Sequence, residues 1–212
     1  MEKEKNNNYK AFIVPVVAVA IFTLLIFGAG YAYFAATVNV DNVANISTQL
    51  PNSGTTFVVE TTECSINVTA ANMVQNQANN YTGSNTCNLN ITLTGQAGVS
   101  CTYNVVLEET GTTYVPTSNI PSGKIEFSGL ATKSGTGATL DLASTETAMN
   151  TLANQRIAHG TMTLTSTTLT HSYTFTEKWY NLNVDQSKYG NPEQSRANEE
   201  YKYSLKVQDV MC

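Results

Sequence analysis

The chain has 212 residues, a formal net charge of -5, 42% hydrophobic residues, 13% charged residues and 9% aromatics. That length allows one domain plus a short extra segment, and the apolar content with few charges excludes intrinsic disorder, which needs low hydrophobicity and high net charge. The acidic balance, without a cluster of Lys and Arg, excludes nucleic acid as the main partner. Against 11 Lys plus Arg stand 31 Thr and 23 Asn, so neutral hydroxyls and amides make the polar surface. β-Branched Thr suits a pleated, half-buried surface, and composition therefore points to an all-β domain.

The first element is apolar. Ala11 to Phe27 is almost wholly hydrophobic, and no residue from Ala11 to Val40 is charged. The stretch before it carries Lys3, Lys5 and Lys10 against Glu2 and Glu4. A positive flank holds the N-terminus inside the cell and sends the rest across the membrane. Ala11 to Phe34 supplies the ~20 residues of a spanning helix. The same stretch also has the layout of a cleavable signal, with Gly30 and Ala32 as a small-x-small site and Tyr33 as the first mature residue. Residues 1–32 are thus a signal peptide or transmembrane anchor, and 33–212 an extracellular domain. From Tyr33 to Asp41 the chain is uncharged until its last residue and alternates at Ala36, Val38 and Val40. It reads as a strand with no local partner, suited to completing a neighbour's sheet by strand addition.

The stretch Gly28-Ala29-Gly30-Tyr31-Ala32-Tyr33-Phe34, ending a hydrophobic run and followed by alternating Thr and Val, resembles signal sequences processed by SipW-type signal peptidases. It is similar to those of the TasA and camelysin group of bacterial surface and biofilm-matrix proteins. Gly98 to Asn104 and Lys178 to Ser187 also resemble segments of secreted proteins with such signals. The resemblance implies an exported β-sandwich that polymerises through a donor strand released by cleavage, with a SipW-type peptidase as a processing partner.

Along the remaining chain, period-2 alternation marks strands at Ser65–Thr69, Leu89–Thr94, Cys101–Leu107, Lys124–Ser128, Thr161–Thr165, Ser172–Thr176 and Tyr201–Val207. Phe57–Glu60 and Ala138–Leu142 are weaker examples. Turn formers separate them, as at Thr94–Gly98, Pro121–Gly123 and Ser134–Gly137. Seven to nine short strands punctuated this way predict an antiparallel β-sandwich, jelly-roll-like. Ser144–Gln155 predicts one short helix capped by Ser144 or Thr145, with Ala148, Met149, Leu152 and Ala153 on one face. Asp185–Glu200, with Gly190, Pro192 and six charges, predicts a surface loop of the length tied to function or mobility.

Cys64, Cys87, Cys101 and Cys212 are an even set in a chain directed outside the cell, which predicts two disulfides. A hairpin of Leu89–Thr94 with Cys101–Leu107 would hold Cys87 and Cys101 apart and disfavour their bond. Two pairings remain, Cys64–Cys87 with Cys101–Cys212, or Cys64–Cys101 with Cys87–Cys212. The first is preferred because it closes one short loop and fastens the last residue into the sheet. Four N-x-[ST] sequons, at Asn45, Asn67, Asn80 and Asn90, are expected by chance in a chain this rich in Asn and Thr.

The spacings of Cys and of the two histidines, His159 and His171, form no zinc signature. Camelysin-like proteins have been described as metalloproteases, yet no H-E-x-x-H occurs here. Glu108-Glu109 and Glu199-Glu200 would point to opposite faces of a strand. No G-x-S-x-G elbow and no phosphate-binding loop is present. Tyr173, Phe175 and Trp179 share a strand face, read as core packing ahead of a ligand platform. The sequence therefore predicts no enzyme, no cofactor and no metal. It predicts a structural protein of the cell surface or matrix, homo-oligomeric by strand addition. The alternative is a membrane-anchored binding module that displays loops to a glycan or protein.

Overall fold

Alternating side chains decide which face of a strand is buried, and in this chain they bury one face of each of two antiparallel sheets. The computed structural model describes residues 46–49, 54–69, 80–142, 144–182, 184–187, 196 and 198–212. In spatial order the first sheet holds β1 (Ile46–Gln49), β2 (Thr56–Thr61), β4 (Asn80–Thr94), β10 (Thr168–Asn181), β6 (Phe127–Ser134) and β8 (Thr147–Ala148). The second holds β3 (Glu63–Val68), β11 (Glu199–Met211), β5 (Ser100–Glu109), β9 (Arg156–Thr163) and β7 (Ala138–Leu140). Helix is nearly absent from the described residues: α1 spans only Met149–Leu152.

The inward rows form one continuous core. Phe57 and Val59 of β2, Leu89, Ile91 and Leu93 of β4, and Tyr173 and Phe175 of β10 cluster with Tyr103, Val105 and Leu107 of β5 and Leu205 and Val207 of β11. Fully burying a side chain of this size contributes about 2 kcal/mol, so these rows provide the main force that holds the two sheets together. Gly129 and Gly160 make room for rings of the strands beside them in the same sheet, since a Cβ at Gly129 would strike the Phe175 ring of β10 and one at Gly160 the Tyr103 hydroxyl of β5.

Eight of the nine strands expected from alternation fall largely within strands here, while Lys124–Ser128 shares only its last two residues with β6, and the pairing differs from expectation. Leu89–Thr94 and Cys101–Leu107 do not form a hairpin. β4 lies between β2 and β10 in one sheet, and β5 between β11 and β9 in the other. The chain between them crosses from sheet to sheet instead of folding back. Gly98, at φ 96°, supplies the turn. The crossing is hydrogen-bonded to a second crossing, between β9 and β10: Gly98 N–H donates to Leu164 O at 2.8 Å, and Leu164 N–H to Val99 O at 2.8 Å. From β2 to β11 each successive strand lies in the opposite sheet.

Two further expectations are corrected. The helix over Ser144–Gln155 shrinks to four residues because Thr147 and Ala148 pair with Gly129 and Ser128 as an edge strand. Ala148, without a side-chain cap bond, stands where Ser144 or Thr145 was expected. The helix ends at Leu152, and two residues on, Asn154, at φ 60°, donates its N–H to Leu107 O at 2.7 Å. The strand expected at Lys124–Ser128 begins at Phe127 and runs to Ser134. Glu126 stays just outside it, drawn into an ion pair. The apolar segment 11–34 lies outside the described residues, and among those described no helix is long and apolar enough to cross a membrane.

Candidate functional site

The cysteines take two different places. Cys64 on β3 bonds to Cys87 on β4, with Cα atoms 4.7 Å apart, and this bridge ties one sheet to the other. Cys101 on β5 bonds to Cys212, just beyond β11, at a Cα separation of 4.0 Å, next to the paired Thr102 and Met211. This is the first of the two pairings considered. The hairpin argument against Cys87–Cys101 does not stand, because β4 and β5 are in different sheets and what separates these two cysteines is the crossing.

At one end of the interior the row on β10 changes character. Its inward positions run His171, Tyr173, Phe175, Glu177, Trp179 and Asn181, all buried. The Trp179 ring stacks on Tyr201 with centroids 5.9 Å apart and planes within 9°, and Tyr114 meets both rings edge-on. Phe127 fills the remaining side. Into this aromatic group projects Arg196, itself completely buried. Its guanidinium lies 5.2 Å from the Trp179 centroid and 5.4 Å from that of Tyr114, a cation–π arrangement. It donates to the Glu126 carboxylate, to Val115 O and, at 2.7 Å, to the Thr117 hydroxyl. Burial pushes the Glu126 carboxyl up, and Arg196 and Thr117 draw it back toward the charged form. Arg196 N–H also donates to Ser187 O at 2.8 Å. One side chain therefore clasps the segments before β6 and before β11 to the end of the core.

The loop expected at Asp185–Glu200 thus contains an interior residue, and Gln186 is a second. Its amide donates to Tyr180 O at 2.9 Å and accepts from Leu182 N–H. Sequence reasoning missed both, because a lone Arg or Gln in a polar stretch carries no periodic signal. Trp179, Tyr201 and Tyr203 face the core, in keeping with the packing reading.

Glu177 is the exception within this row. Neither carboxylate oxygen has a hydrogen-bond partner, and burial raises its pKa to about 8. It lies within electrostatic reach of Tyr203, whose hydroxyl is also buried and unpartnered. Further along the core, His171 Nε2–H donates to Thr136 O at 2.8 Å, which leaves Nδ1 to accept from the Tyr103 hydroxyl at 2.6 Å. Tyr173 lies 2.8 Å from Tyr103 and donates to His159 O at 3.1 Å. Burial holds the His171 imidazole below its ordinary value and in the neutral form. These groups hold one another across the sheets.

No protein-family model, curated protein or solved structure matches this chain. Its function must be argued from its own residues. Among those described, no group of three or more His, Cys, Asp or Glu could hold a metal. Gly30, Ala32 and Tyr33, expected at a cleavage site, and Ala36, Val38 and Val40, expected in a donor strand, lie outside the described residues.

Proposed function

We propose that this chain is an exported structural protein of the cell surface or extracellular matrix, a jelly-roll-like sandwich that self-associates by strand addition. The observation that carries the reading is the position of β1. Among the described residues it is the first strand, it forms the edge of its sheet, and it pairs with β2 alone. Addition of a strand along such an edge gains main-chain hydrogen bonds between copies. Residues 33–45, with Ala36, Val38 and Val40 alternating, immediately precede that edge. Two disulfides add support, since such bonds persist in oxidising compartments outside the cell. Export would use the membrane and a SipW-type signal peptidase.

Intact mass and N-terminal sequencing of protein recovered from native cells, separated into membrane and medium, test this. A chain starting at Tyr33 in the medium, with fibres in negative stain, is the expected result. Met1 retained in the membrane fraction would overturn it and leave a membrane-anchored binding module as the better account.

A further inference from the structure

The two outward faces of the sheets differ in chemistry. The face of the second sheet carries ion pairs: Arg156 with Asp141 at 2.7 Å, Lys206 with Glu108 at 2.8 Å and Lys202 with Glu200 at 3.3 Å, and His159 Nδ1 lies 2.8 Å from Asp141. The face of the first sheet carries one such pair, Lys178 with Glu146, at one end, and beyond it the face is a lattice of neutral groups. On β4 the outward residues are Thr86, Asn88, Asn90, Thr92 and Thr94, which the register sets beside Thr176, Thr174, Ser172, Thr170 and Thr168 of β10. Thr132 and Ser134 of β6 extend two of these rungs, and Leu130 extends a third. Thr56, Val58 and Glu60 of β2 extend the rungs on the other side. Glu60, at the margin, is the one ionisable side chain among them.

These side chains have already met much of their hydrogen-bonding need within the sheet. Thr56 bonds to Thr94 at 2.5 Å, Thr92 to Thr170 at 3.2 Å and Thr86 to Thr176 at 3.3 Å. Ser172 donates to Asn90 at 2.7 Å and Thr174 to Asn88 at 3.1 Å. Hydroxyls engaged sideways cost less to desolvate than free ones, and side chains already fixed lose less entropy on binding. The array is therefore drier and more rigid than its composition suggests.

We infer that this face is an isologous contact between two copies of the chain, lateral to and independent of strand addition. The chain carries a net charge of -5, so most approaches between copies meet like-charge repulsion, and this neutral lattice avoids it. Hydroxyls and amides both donate and accept, so the same patch complements itself across a two-fold axis. The sixteen side chains of these rungs, at ~4.8 Å between strands and ~6.8 Å along them, give a footprint of roughly 500 Å² per copy, at the low end for a specific, reversible interface. The five rungs carry no aromatic ring on which a sugar would stack, and Tyr180 beyond them is tied to Glu146, which favours a second copy over a glycan.

The test uses the exported chain with Val38→Pro and Val40→Pro, which block strand pairing of the N-terminal segment and isolate lateral association. Sedimentation velocity over a concentration series should show a reversible dimer. Adding Thr92→Lys and Thr174→Lys, both outward, should weaken it at least tenfold without altering the far-ultraviolet circular dichroism. Mixing that variant with one carrying Thr92→Glu and Thr174→Glu should restore a mixed dimer. A parent chain that stays monomeric throughout, Lys variants that still dimerise, or a mixture that fails to associate would overturn the inference. So would a monomeric parent that binds insoluble neutral glycan through Thr92 and Thr174. Fibres formed by the chain with Val38 and Val40 intact report on strand addition separately, so either idea fails without the other.

Discussion

Glu177 occupies a position where its strand calls for an apolar side chain. It stands two residues from Phe175 and two from Trp179, on the same inward face, and burial raises its pKa to about 8. The native state therefore keeps a proton that the unfolded chain releases near the ordinary carboxyl value of about 4.3. Between those two values the folded form binds more protons, so the stability contributed by Glu177 is full below the lower value and is lost as pH rises toward 8. Glu177→Gln removes this titration while keeping the shape. Urea unfolding at pH 5, 7 and 8.5 should show the variant gaining on the parent as pH rises, with a flatter profile. Parallel profiles would show that Glu177 titrates alike in both states. The Arg196 side chain poses the opposite problem, a permanent charge in the interior, and Glu126 with two aromatic faces answers it. Removing one partner of such a pair strands the other, which costs more than the pair itself contributes.

At the scale of the element, the two disulfides act on different loops. Cys101–Cys212 spans 111 residues and joins neighbouring strands, while Cys64–Cys87 spans 23 and joins the sheets. On chain entropy the first should stabilise by about 4–5 kcal/mol and the second by about 3. Replacing each pair by Ala and comparing urea midpoints checks this. A larger loss for Cys64→Ala with Cys87→Ala would assign the main effect to packing, since both of those cysteines are completely buried. Strand positions were legible because alternation is a local signal: Leu89, Ile91 and Leu93 face inward as the sequence implied. Their extents were not. β4 and β10 continue through polar residues, held in the ladder by backbone pairing and by cross-strand bonds such as Thr86 with Thr176, that show no apolar alternation. Pairing between elements was illegible for the same reason, since a five-residue link reads alike whether it folds back or crosses over. Gly98 marks a turn in both cases. The clasp at Arg196 was hidden because its partners, Glu126 and Trp179, are distant in sequence and only the fold brings them together.

For the whole molecule, the crossing at each link from β2 to β11 makes the native contacts non-local. No strand from β2 onward pairs with its immediate successor, so a folding nucleus must close long loops before ladder bonds repay the lost entropy. Domains dominated by such pairings fold in milliseconds to seconds, and a chain of this length adds populated intermediates. Trp179 offers a direct probe, as the single tryptophan of the chain, held between Tyr201 and Arg196 at the end of the core. Stopped-flow refolding of the disulfide-intact protein, followed by Trp179 fluorescence, should give a main phase of about 0.1 s or slower. With both disulfides reduced the same phase should slow further, because the intact bonds have already closed the two loops. A submillisecond main phase would mean that local pairings, absent from the native sheets, guide the chain through its transition state. An unfolded chain that closes its sheets this slowly exposes its strand edges for as long, and the strand addition proposed above would draw on that interval.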